Sequence, residues 1–77
     1  MLKRDIIATQ DMINIVDAII SERIKQNMSR SKLSEKSGVK VSTICKLEKL
    51  KIIPKLADLI KILNTLNLHL TITTENI

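Results

Sequence analysis

No phenylalanine, tyrosine or tryptophan occurs in the 77 residues, and glycine, proline and cysteine occur once each, as Gly38, Pro54 and Cys45. Each scarcity excludes something. Without aromatic rings there are no stacking platforms for single-stranded nucleic acid or for splayed RNA bases. The core must therefore come from Ile, Leu, Val and Met. One glycine cannot make a Gly-rich phosphate loop. One cysteine closes no intramolecular disulfide, which fits a reducing cytoplasm. Cys45 and His69 are the only soft ligands or nucleophiles of their kind, and they stand alone, far from any ligand spacing. No metal site, cofactor or catalytic apparatus is therefore expected, and the chain does not read as an enzyme. None of the apolar runs approaches the ~20 residues of a membrane span. The opening MLKRDII lacks a signal-peptide pattern, so the expected location is cytoplasmic.

What remains is aliphatic and basic. Hydrophobic residues make up 44% of the chain, too many for a disordered tail and enough for one small domain, 1–77. The formal net charge of +5 is unevenly spread. Residues 1–22 carry a net −2 and residues 56–77 a net −1, whereas residues 23–55 hold ten Lys and Arg against Glu35 and Glu48, a net +8. A basic middle third is the footprint expected of a nucleic-acid binder, and equally that of a solvated lysine surface.

Hydrophobic periodicity predicts helices over 9–26, 30–37, 41–49 and 55–66. In the first, Met12, Val16, Ile19 and Arg23 share a stripe, with Thr9 as N-cap and Asp11 in the first turn. Ile13, Ile20 and Ile24 widen the stripe beyond what one small core needs. Asn27 suits a left-handed helix end. Ser29 fits the N-cap of the second helix, Leu33 is its core residue, and Gly38 is placed to stop it. Ile44 and Leu47 face inward from the third. Pro54 is expected in the first turn of the fourth, where Leu56, Leu59, Ile60 and Leu63 form the apolar stripe. In LHLTITT, Leu68, Leu70 and Ile72 then alternate with polar residues, which predicts a strand over 68–73. No second strand exists in the chain, so pairing with a second copy is expected.

Two short helices around a glycine turn, inside a basic segment, describe a helix-turn-helix. The run from Arg23 to Leu66 resembles the Cro/C1-type (XRE) family of DNA-binding domains. Arg23, Met28-Ser29, Leu33, Gly38-Val39, Ser42-Thr43-Ile44, Leu47-Glu48 and Pro54 occupy the places of the family pattern without a gap. Two residues depart from it. Ser34 stands where alanine is usual, and Leu50 where a glycine commonly follows the third helix. The resemblance implies an all-α, lambda-repressor-like bundle of four to five helices, with the C-terminal strand paired across a dimer. It also implies an ion pair between Arg23 and Glu48. The first residues of the third helix would enter the major groove, with Val41, Ser42, Thr43 and Lys46 near base edges and Arg30 at the groove rim. Ser29, Lys32, Lys40, Lys49 and Lys51 are assigned to phosphates.

The function implied is a sequence-specific repressor that binds a palindromic double-stranded operator as a homodimer, on the bacterial nucleoid when engaged. Leu68, Leu70 and Ile72 would form part of the dimer interface. The ending IKILNTLNLHLTITTEN looks like that of HipB-type antitoxins, which implies self-repression and binding of a HipA-like serine/threonine kinase toxin. The alternatives are a stand-alone regulator of the same family, or a protein-interaction module with this fold and no affinity for DNA.

Overall fold

A computed structural model describes residues 10–71. Among these there are four helices: α1 (Gln10–Lys25), α2 (Arg30–Ser37), α3 (Val41–Glu48) and α4 (Leu56–Thr65). Helix α2 packs on α3 and α4, and α1 packs on α3. The core is wholly aliphatic. Val16 and Ile19 enter it from α1, Leu33 from α2 and Val39 from the turn. Ile44 and Leu47 come from α3, and Leu59, Ile62, Leu63 and Leu66 from α4 and its end.

Local chemistry accounts for the start of α2, and apolar spacing for the faces that turn inward. On α1 the inward face runs through Val16 and Ile19, with Met12 and Ile15 partly buried beside it. Ile24, on the widened side of the stripe, is 59% exposed. Thr9, the expected cap, lies outside the described residues. On α2 the Ser29 side chain accepts from the Lys32 backbone N–H at 3.0 Å, satisfying one exposed amide of the first turn.

Helix α4 differs from expectation in two ways. It starts at Leu56 with Lys55 as N-cap, so Pro54 lies just ahead of the helix rather than in its first turn. Its inward face is Leu59, Ile62, Leu63 and Leu66, while Leu56 is 69% and Ile60 40% exposed. The apolar band on α4 is wide enough to be buried in more than one rotation, and packing against α2 selects the edge carrying Ile62 and Leu66.

All four helices are followed by a residue with positive φ: Asn27 (56°), Gly38 (82°), Leu50 (60°) and Asn67 (62°). After α1, Asn27 N–H bonds the Ile24 carbonyl and Met28 N–H the Arg23 carbonyl, both at 2.9 Å. This is the paired closure of a Schellman motif, and it recurs after α3 and α4. Following α2 a single bond runs from Gly38 N–H to the Ser34 carbonyl. A Cβ on Gly38 would meet nothing within 4 Å, so the sign of its φ, and not crowding, demands glycine.

Leu50 thus performs the conformational task of the glycine it replaces. Its N–H bonds the Leu47 carbonyl at 2.9 Å, and Lys51 N–H bonds the Lys46 carbonyl at 2.8 Å. A left-handed non-glycine residue carries roughly 1–2 kcal/mol of strain. Leu50→Gly relieves it, at a cost of roughly 0.5–1 kcal/mol in unfolded-chain entropy and some packing of a side chain 37% exposed. The substitution is expected to change stability by less than about 1 kcal/mol in urea denaturation, unlike leucine-to-glycine changes in cores. A loss above ~2 kcal/mol would show that the Leu50 side chain, and not its backbone, matters most.

Candidate nucleic-acid interface

The turn between α2 and α3 is short and held by side chains. Ser34 Oγ donates to the Val39 carbonyl at 2.6 Å, and Ser37 Oγ accepts from Val39 N–H at 3.2 Å. The hydroxyl that departs from the usual alanine therefore has a partner, and it fastens α2 to the turn. With Leu33 and Val39 buried below and Ile44 and Leu47 beside them, α3 is locked against α2.

This packing decides which residues of α3 face water. Ile44, Leu47 and Glu48 are buried on one side. Ser42, Lys46 and Lys49 fall on the opposite side of the helical turn and are exposed. Val41 is 41% exposed, and Thr43 is half-buried. Lys40, at the N-cap position, makes no capping bond through its side chain. Lys40, Lys46, Lys49 and Lys51 are exposed and have no ion-pair partner among the described residues. Lys32 reaches Glu35 at 3.4 Å with both side chains largely exposed, a contact worth little.

Beneath this surface lies one carboxylate shared by two guanidinium groups. The Glu48 side chain is only 1% exposed. Arg23 Nε donates to Glu48 Oε2 at 2.8 Å and Arg23 Nη2 to Oε1 at 3.1 Å, a two-pronged pair joining α1 to α3. Arg23 Nη1 donates to the Met28 carbonyl at 2.9 Å, which ties in the segment between α1 and α2. Arg30 Nε then donates to the same Oε1 at 2.8 Å.

The second guanidinium is what sequence reasoning missed, for Arg30 reads there only as a DNA contact. A signal existed. Arg30 is the first residue of α2, where the helix dipole disfavours a positive charge, so a compensating carboxylate is expected nearby. The Arg30 pKa is raised above the usual arginine value, first by its hydrogen bond to Glu48 and then by that carboxylate's charge. Cys45, half-buried on α3, adds in the same direction. Arg30 still keeps 41% of its side chain in solvent.

The tail departs from expectation. Residues 68–71 form no strand, and Ile72 and Thr73, the rest of the expected segment, lie outside the described residues. A strand needs a ladder partner, and the described residues of a single copy supply none. Leu68 instead packs, partly buried, against the chain's own core, while Leu70 is 44% exposed. Gln26 Nε2 secures the end of α4 by donating to the Leu66 carbonyl at 3.0 Å. The HipB-like ending rests on that strand, and nothing in the described residues carries it.

A family model described as helix-turn-helix matches residues 19–72, most of the chain and the whole of α2, the turn and α3. No curated protein and no solved structure gives a significant match.

Proposed function

The chain belongs to the Cro/C1-type helix-turn-helix family of DNA-binding transcription regulators, and from that premise we propose a sequence-specific repressor that binds a palindromic operator as a homodimer. The observation that carries the reading is the exposed side of α3. Ser42 and Lys46 lie there with Lys49, flanked by Lys40 and Lys51, and none of these lysines is neutralised within the described residues. A helix that is braced behind and cationic in front suits insertion into the major groove. In this reading Ser42, Thr43 and Lys46 read bases, Val41 meets a thymine methyl, and Ser29, Lys32, Lys40, Lys49 and Lys51 hold phosphates.

The homodimer is supported by apolar surface that one copy leaves open. Leu56 and Ile60 are exposed on α4. A groove of about 190 Å³ beside α1 and α4 is lined by Ile15, Ala18, Leu63, Leu68 and Leu70, with Asn14 and His69 at its polar edge. Two units would then meet half-sites about 34 Å apart, one helical turn of DNA.

Titration of duplex DNA binding with salt tests the reading. Each phosphate contacted contributes a slope of about −0.9 in log K against log salt. Lys49→Ala should weaken operator and random DNA equally, whereas Lys46→Ala should erode discrimination between them. Parallel losses in both variants would remove Lys46 from base readout. No binding at about 50 mM salt would sink the DNA reading itself.

A further inference from the structure

The cluster of Arg23, Arg30 and Glu48 is electrostatically incomplete. One carboxylate stands against two guanidinium groups, which leaves a net charge of +1 at the junction of α1, α2 and α3. Arg23 is engaged at all three nitrogens: Nε and Nη2 are on Glu48, Nη1 is on the Met28 carbonyl, and the side chain is 12% exposed. Arg30 is not. Its Nε is held 2.8 Å from Glu48 Oε1, the Cys45 thiol is its one other side-chain partner, and Nη1 and Nη2 donate to no oxygen or nitrogen among the described residues. The guanidinium is thus anchored at one edge while its two terminal nitrogens stay available, on a side chain 41% exposed to solvent.

We infer that Glu48 positions Arg30 as a fixed two-pronged clamp for a DNA backbone phosphate, so that the carboxylate bracing the fold also aims a DNA contact. This rests on the DNA-binding reading above and goes beyond it by giving Glu48 a part in binding. A planar guanidinium presents parallel N–H donors to two phosphate oxygens, and fixing it beforehand removes the ordering cost that a free side chain meets on binding. The phosphate supplies the missing negative charge of the cluster. Arg30 follows the cap residue Ser29 and precedes Lys32, two residues assigned to the same backbone.

Lysine cannot do this, because it has no Nε–H to rest on Glu48 while two further nitrogens reach outward. The test compares wild type, Arg30→Ala and Arg30→Lys on one labelled duplex across a salt series, with far-UV circular dichroism as the check on folding. Arg30→Ala is expected to bind about tenfold more weakly, with the salt slope shallower by about 0.9. Arg30→Lys is expected to match the alanine variant within about twofold, despite its charge. Recovery of wild-type affinity by Arg30→Lys overturns the clamp, and so does wild-type affinity in Arg30→Ala. Glu48→Gln addresses the positioning directly. It should weaken binding in the wild-type background and leave Arg30→Ala unchanged, and equal losses in both backgrounds overturn the coupling. If Glu48→Gln does not fold, the two Arg30 variants decide alone. Absence of wild-type binding overturns the DNA reading and the clamp together, whereas binding indifferent to Arg30 overturns only the clamp.

Discussion

Glu48→Ala is expected to destabilise the protein by about 3–5 kcal/mol, because it strands a largely buried guanidinium. The side chain left behind is Arg23, 12% exposed, which would keep only the Met28 carbonyl as partner. Arg30, with its outer face already solvated, can swing away. The three members of the cluster therefore rank in a definite order. Glu48→Ala costs most, since both arginines lose their acceptor. Arg23→Ala costs less, since Arg30 Nε still covers one oxygen of Glu48. Arg30→Ala costs least. A loss of ~5 kcal/mol is about the whole margin of so small a domain, so Glu48→Ala should be substantially unfolded at 25 °C. Urea denaturation followed by far-UV circular dichroism measures this. A loss below about 1 kcal/mol for Glu48→Ala would mean that the cluster behaves as an ordinary surface ion pair.

The second large effect is expected at Ile44, which is fully buried and lies on α3, the helix packed on both α1 and α2. Ile44→Ala removes several methyl and methylene groups and opens a cavity at that junction, a loss of roughly 2–5 kcal/mol. The absence of aromatic residues sharpens the expectation, since no large neighbouring ring can tilt into the space. Ile53→Ala serves as the control. Ile53 is 65% exposed, so its truncation should stay within about 0.5 kcal/mol. Equal losses at the two positions would show that Ile53 is covered in solution, and would direct attention to a second copy as the cover.

Much of this architecture is legible from residue order, and the illegible parts share a cause. The helices at Val16–Ile19, Leu33, Ile44–Leu47 and Leu59–Leu63 follow from apolar spacing, and the Ser29 cap and Gly38 stop follow from side-chain chemistry. The Arg23–Glu48 pair comes through resemblance to a family. Other features depend on what lies across space. Periodicity cannot choose between the Leu56–Ile60 and Ile62–Leu66 edges of α4, because both are apolar and only packing against α2 decides. Nothing local predicts that Leu50 takes a left-handed φ. The Schellman closure and the burial of Leu47 impose it. Arg30 looks like any interface cation until Glu48, 18 residues away, is brought beside it. The strand expected over 68–73 rests on alternation alone, which cannot supply a ladder partner.

The four left-handed residues also bear on how this chain can change. Each helix ends on one left-handed dihedral pair, at Asn27, Gly38, Leu50 or Asn67, closed by one or two backbone bonds. Three of these corners are met almost at once by α2, by α3 or by the packed Leu68, so an added residue there would rotate everything downstream out of register with the core. The stretch between Leu50 and Leu56 is different, because several residues separate the corner from the next helix. Length variation in relatives of this chain should therefore gather between α3 and α4, leaving the angle between α2 and α3 untouched.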